Sequence, residues 1–168
     1  MTHLSNTLKL SLLLLLMAVS CSQKQSNQEH VEPITDKIQL LELDGHAIDL
    51  RQYKDKAVFI NLWATWCGPC VKEMPSIERA KNKLKESNIE FLVASNETVE
   101  QIQSFIAKRK LDLHYVQLQN MEELGIPALP TTYVIDPKGE LVFSETGSRE
   151  WDAPANIELL TKIINKND

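Results

Sequence analysis

The sequence predicts an α/β fold built on a central mixed β-sheet flanked by helices, and three observations carry that expectation. AVFINLW (residues 57–63) is a continuous apolar run, the pattern of a strand buried on both faces. Directly after it, Met74, Ile77, Ala80 and Leu84 recur at helical spacing with Lys and Glu between them, which predicts a helix from about Pro69 to Glu86, kinked at Pro75. The alternation then repeats, with IEFLVAS (89–95) as a strand and TVEQIQSFIAKRK (98–110) as an amphipathic helix opened by Thr98 and Gln101 in capping-box register. Strands separated by helices of this length imply a central sheet with helices on both sides.

The remaining elements follow in order. IQLLEL, Asp44-Gly45 and AIDL read as an N-terminal β-hairpin, because Asp-Gly accepts the positive φ of a type I′ turn. HYVQL (114–118) is a short strand and NMEEL (120–124) a short helical turn. TTYVID, the turn DPKG and ELVFSE form a second hairpin, which makes the sheet mixed. Pro154 to Asn165 closes the chain as a helix with Ile157, Leu160, Ile163 and Ile164 inward.

Composition narrows the function classes. With 168 residues, 43% of them hydrophobic, and a formal charge of -5, the chain carries one core and no basic footprint for nucleic acid. Ahead of the domain, Lys9 precedes LSLLLLLMAV, an apolar stretch too short to span a bilayer but suited to a signal-peptide h-region. AVSC (18–21) resembles a bacterial lipobox, which implies cleavage before Cys21 and acylation of its sulfur. The alternative is an ordinary A-x-S cleavage site that leaves Cys21 a free thiol. Polar SQKQSNQEHVEPITD then reads as a flexible tether. The expected organisation is therefore 1–20 signal peptide, 21–35 tether and 36–168 folded domain.

WCGPC (66–70) holds the other two cysteines, at the junction of the buried strand and the helix. A cysteine at the first turn of a helix faces unpaired backbone N–H groups and the positive end of the helix dipole, both of which stabilise a thiolate. Cys67 is thus the activated sulfur, and Cys70, one turn deeper, can reach back to it and resolve a mixed disulfide. A zinc site needs two more ligands, yet there is no second CxxC and the four histidines show no ligand spacing. A structural disulfide across so short a loop adds little stability. The strand-then-helix context, with Trp63 and Trp66 nearby, argues against chance. A redox role is favoured over all three.

FINLWATWCGPCVKEMP, LGIPALPTTYVID and the hairpin ahead of them resemble the TlpA/ResA-like thiol-disulfide oxidoreductases, a membrane-tethered branch of the thioredoxin fold, over residues 36–166. The resemblance implies a thioredoxin-like domain with an α/β insertion at about Asn96 to Glu123. It implies that Pro130 is a cis-proline beside the CxxC, that the backbone of Leu129 pairs with a substrate peptide, and that Trp66, Gly68 and Pro69 border the docking surface. Pro127 and Pro137 read as loop punctuators, and Trp63 as core. Glu73, one turn beyond Cys70, matches the family's CxxCxxE pattern, which favours a proton-exchanging carboxyl over a solvated helix glutamate.

The implied activity is reduction of protein disulfides by the Cys67/Cys70 dithiol on the extracytoplasmic, periplasm-facing side of a bacterial envelope. Its partners would be disulfide-bearing client proteins, with apocytochrome c as a common family client, an upstream membrane electron donor, and the bilayer through acylated Cys21. No cofactor is implied. A thiol oxidase or disulfide isomerase, and a metal-binding CxxC module, stay open as alternatives.

Overall fold

A computed structural model describes residues 33–166. The expected signal peptide, most of the tether and Cys21 lie outside the described residues. In chain order the elements are α1 (Ile34–Lys37), β1 (Leu40–Glu42), β2 (Ala47–Ile48), a 3₁₀ turn (Leu50–Tyr53), β3 (Ala57–Leu62), α2 (Gly68–Lys83), β4 (Ile89–Ser95), α3 (Val99–Arg109), β5 (His114–Leu118), β6 (Thr131–Ile135), β7 (Leu141–Thr146) and α4 (Pro154–Ile164). Ordered structure begins earlier than expected. Ile34 and Thr35, read from the sequence as tether, lie in α1, and Ile34 packs against the core.

All seven strands join one sheet in the order β2-β1-β5-β4-β3-β6-β7. β3, β4 and β5 run parallel, while both terminal hairpins pair antiparallel to their neighbours, so the sheet is mixed. β3 is buried along its whole length, as a run that is apolar except for Asn61 requires.

The long helices share one face. Side chains from α2, α3 and α4 join Ala57, Phe59, Phe91, Val93 and Tyr115 in a single core cluster. Two right-handed crossovers that step in the same direction, β3–α2–β4 and β4–α3–β5, must lay their helices on the same side of the sheet. The opposite face, with Val58, Ile60, Leu92 and Val116, is covered by α1, the 3₁₀ turn and the segment around Met121 to Leu129. Helices do lie on both sides, but only short ones on the second.

Local chemistry explains most boundaries. Thr98 and Gln101 make both bonds of the capping box, and α3 ends at Lys110 in the left-handed conformation. α2 continues through Pro75. Residues 121–125 form the expected short turn, with the Glu123 N–H donating to Asn120 and the Gly125 N–H to Glu122. One local expectation is corrected. The first hairpin does not use a type I′ turn: Gly45 has φ +92°, but Asp44 is not in the positive-φ region. Gly45 N–H donates to Glu42 and Glu42 N–H to His46, so a three-residue loop with glycine at the left-handed position closes the strands. The Asp44 carboxylate accepts the His46 N–H, which favours the looser turn.

Three strands are tied at one end by a charged cluster. His114 on β5 faces Glu90 through Nδ1 at 3.2 Å and Glu42 through Nε2 at 3.0 Å. The hydrogen bond to Glu90 raises the His114 pKa above its usual value, and the same bond lowers that of Glu90. A raised histidine pKa contributes stability in full below about 6.5 and loses it as pH rises through the folded value. The lowered Glu90 contributes above its own ordinary value and loses it as pH falls. Urea titration from pH 6 to pH 9 is therefore expected to show a loss of stability in the wild type that His114→Gln abolishes. Parallel pH profiles for the two proteins would contradict this clamp.

Candidate active site

The C-terminal end of β3 delivers the chain to the site. Leu62 pairs with Thr131, so the loop leading from β3 to the cysteines and the loop leading into β6 emerge at the same edge. Trp63 is fully buried, with its ring 4.7 Å from that of Phe105, and anchors the loop from beneath, as expected of a core residue. Trp66 is the opposite case at 75% exposure, an outlier for a large aromatic side chain.

Cys67 is the N-cap of α2, and its sulfur accepts the Cys70 N–H at 3.3 Å. The two cysteines are joined as a disulfide. Cys67 is 5% exposed and Cys70 fully buried, whereas Gly68 and Pro69 between them face outward. Once reduced, a thiolate on Cys67 meets the same N–H and the same helix dipole.

Pro130 follows a cis peptide bond from Leu129 and is buried. Its carbonyl accepts the Gly147 N–H, which fixes the start of β6 against the end of β7. Leu129 itself makes no backbone hydrogen bond among the described residues. Its N–H and C=O are therefore available to an added strand.

Glu73 is buried, at 2% exposure, which rules out the solvated-glutamate reading. One carboxyl oxygen accepts the Asn61 side-chain N–H at 2.8 Å and the other accepts the Arg149 backbone N–H at 2.9 Å. Burial raises its pKa above the usual carboxylate range, against the pull of these two donors. The Trp151 indole N–H also faces the carboxyl and pulls downward, short of hydrogen-bond geometry. Ser76 Oγ accepts the Trp151 N–H, and the Arg149 guanidinium forks onto Glu145, so the segment after β7 is held firmly against α2.

Sequence reasoning missed several supporting residues. Asn61 lies within the apolar run and was read only as part of a strand. Glu97 accepts both the Thr65 N–H and the Thr65 hydroxyl at 2.6 Å, which pins the loop two residues before Cys67. A polar residue interrupting AVFINLW was the one available signal for Asn61. Glu97 left none, since its partner lies 32 residues away. Among the described residues no three His, Cys, Asp or Glu side chains gather as a metal site.

The AhpC/TSA family profile matches residues 32–144, more than half of the chain. The chain belongs to the AhpC/TSA family. The chain is similar to the thiol-disulfide oxidoreductase ResA of Halalkalibacterium halodurans, 38% identical over 112 residues that cover 64% of each protein. ResA of Bacillus subtilis is 30% identical over 113 residues, 65% of this chain and 63% of the relative. The chain thus spans less than two thirds of the length of these curated relatives. Among solved structures, the thioredoxin domain of a Bacteroides vulgatus thiol-disulfide oxidoreductase superposes with a TM-score of 0.64 at 24% identity, covering 76% of this chain and 93% of that one. A thioredoxin-family thiol:disulfide interchange protein from Chlorobium tepidum gives 0.63 at 20% identity, covering 76% and 92%. The fold of this AhpC/TSA chain is therefore thioredoxin-like, and the resemblance to TlpA/ResA-like proteins drawn from the sequence holds.

The Glu97 anchor can be tested directly. Glu97→Ala removes the carboxylate that accepts from the Thr65 N–H, the Thr65 hydroxyl and the Ser95 hydroxyl at a half-buried position, and is expected to cost about 1.5 kcal/mol or more in urea unfolding. A change within about 0.5 kcal/mol, the range of an ordinary surface substitution, would remove Glu97 from the support of the cysteine loop.

Proposed function

We propose that this chain is an extracytoplasmic thiol-disulfide oxidoreductase that reduces protein disulfides through Cys67 and Cys70. One observation carries the reading: a cysteine pair caps a helix, its outer sulfur beside an exposed tryptophan and its inner sulfur buried. The ResA relatives support the same chemistry.

In the dithiol form, the Cys67 thiolate attacks a sulfur of the client disulfide. A Cys67–client bond forms and the client's other sulfur leaves as a thiolate. Glu73 then takes the proton of the Cys70 thiol. The Cys70 thiolate attacks Cys67, forming the intramolecular disulfide and expelling the second client thiolate. Two electrons have passed to the client, and an upstream membrane donor must return the pair to the dithiol. Leu129 and cis-Pro130 align the client backbone as a short added strand, while Trp66, Gly68 and Pro69 form the surface it crosses. Apocytochrome c, whose cysteines must be reduced before haem attachment, is one client class that suits this reaction.

The AVSC sequence supports acylation of Cys21 after removal of residues 1–20. Several acyl chains, each adding about 0.8 kcal/mol per buried CH₂, hold a protein at a bilayer where a single chain does not. No helix among the described residues is long and apolar enough to cross a membrane.

Two experiments test this reading. Cys70→Ser is expected to accumulate mixed disulfides with client proteins, seen on non-reducing gels, while Cys67→Ser accumulates none; equal trapping by both variants would overturn the assignment. Cys21→Ala is expected to move the protein from the membrane fraction to the soluble one. Unmodified Cys21 in a soluble mature chain, found by mass spectrometry, would remove the lipid anchor and leave the chemistry untouched.

A further inference from the structure

The Asn61 side chain is fully buried, and its two ends fare differently. Nδ2 donates to Glu73 at 2.8 Å and to the Thr132 hydroxyl at 2.9 Å, using both of its hydrogens. Oδ1 is buried with no hydrogen-bond partner among the described residues. A buried orphan acceptor is costly, and one beside a titratable carboxyl calls for a reason.

The protonated state of Glu73 supplies one. The Arg149 backbone N–H is fixed as a donor, so the oxygen facing it has to remain an acceptor. The other oxygen faces Asn61. When that oxygen carries a proton it becomes a donor, and an amide N–H aimed at it is the wrong partner. The two ends of an amide are nearly isosteric, and turning it over puts Oδ1 where Nδ2 had been. Oδ1 can then accept from the Glu73 O–H. The Thr132 hydroxyl, which can donate as well as accept, reverses to follow.

We propose that the Asn61 amide turns over with the protonation of Glu73, one end serving the carboxylate and the other the carboxylic acid. Asn61 is then a positioning residue, with Thr132 as its follower, for the proton that Glu73 takes from Cys70; the inference rests on the reaction proposed above. It lets a buried carboxyl take and return a proton while its heavy atoms stay in place. The charged groups around Glu73 leave this exchange to Asn61. Glu150 repels the carboxylate, the Arg149 guanidinium is engaged by Glu145, Cys70 shares α2, and the Trp151 indole N–H faces the carboxyl short of hydrogen-bond geometry. β3 and β6 present only Asn61 and Thr132 to the network.

Glu73→Gln mimics the protonated state permanently, because its amide can accept from Arg149 and donate to Asn61 Oδ1. The test is a pH titration of the reduced wild-type protein by NMR, following the Glu73 carboxyl carbon and the Asn61 side-chain amide, with the Glu73→Gln spectrum for reference. Both signals are expected to move with one midpoint, and the low-pH Asn61 amide to match Glu73→Gln, its protons shifted upfield as they leave the carboxylate. An Asn61 amide that stays unmoved while Glu73 titrates would overturn the proposal, even if Glu73→Gln failed to fold. Failure of the underlying reading is separate: it would be a Glu73→Gln variant that reduces disulfides at the wild-type rate and pH dependence, whatever Asn61 does.

Discussion

A single buried carboxyl ties the site together. Glu73 projects from α2 one turn beyond Cys70 and is gripped from β3 by Asn61 and from the segment after β7 by the Arg149 backbone. Asn61 extends the grip to β6 through Thr132. Four parts of the chain that converge on the disulfide thus meet at one titratable group. Burial raises the free energy of its charged form, and the donors around it hold that cost down without removing it. The result is a carboxyl whose proton is held more tightly than usual by burial, one turn beyond Cys70 on the helix that carries the cysteines.

The surroundings separate rigidity from access. Trp63, Phe105 and Tyr115 pack below the cysteine loop, and Glu97 pins Thr65 ahead of it. Around the buried cysteines, Trp66, Gly68 and Pro69 face outward, and Leu129 makes no backbone hydrogen bond among the described residues. The far end of the sheet carries the His114 cluster, where the hydrogen bond to Glu90 raises the histidine pKa.

How much of this the amino-acid sequence revealed depended on the range of the interaction. The capping box at Thr98, the apolar period of α2 and the buried strand β3 are set by residues within a few positions of one another, and they were legible. The Asp44-Gly45 turn was misjudged because an Asx bond to His46 outweighed the dipeptide's usual preference. That α2 and α3 share a face follows from crossover handedness once the strand order is known, and the order itself comes from long-range pairing. In the site, Cys67 and Cys70 announced themselves by spacing, and Glu73 and Pro130 by resemblance. Asn61, Glu97 and Arg149 act through partners 12, 32 and 76 residues away, beyond any local pattern.

The Cys67/Cys70 pair is proposed to donate electrons to client disulfides. The most direct measurement is the equilibrium reduction potential of the couple at pH 7 against a thiol–disulfide buffer. A reductant is expected to give a value close to that of the reducing thioredoxins, about -270 mV. A value near that of the strongly oxidising DsbA, about -120 mV, would contradict that role and make the protein a thiol oxidase.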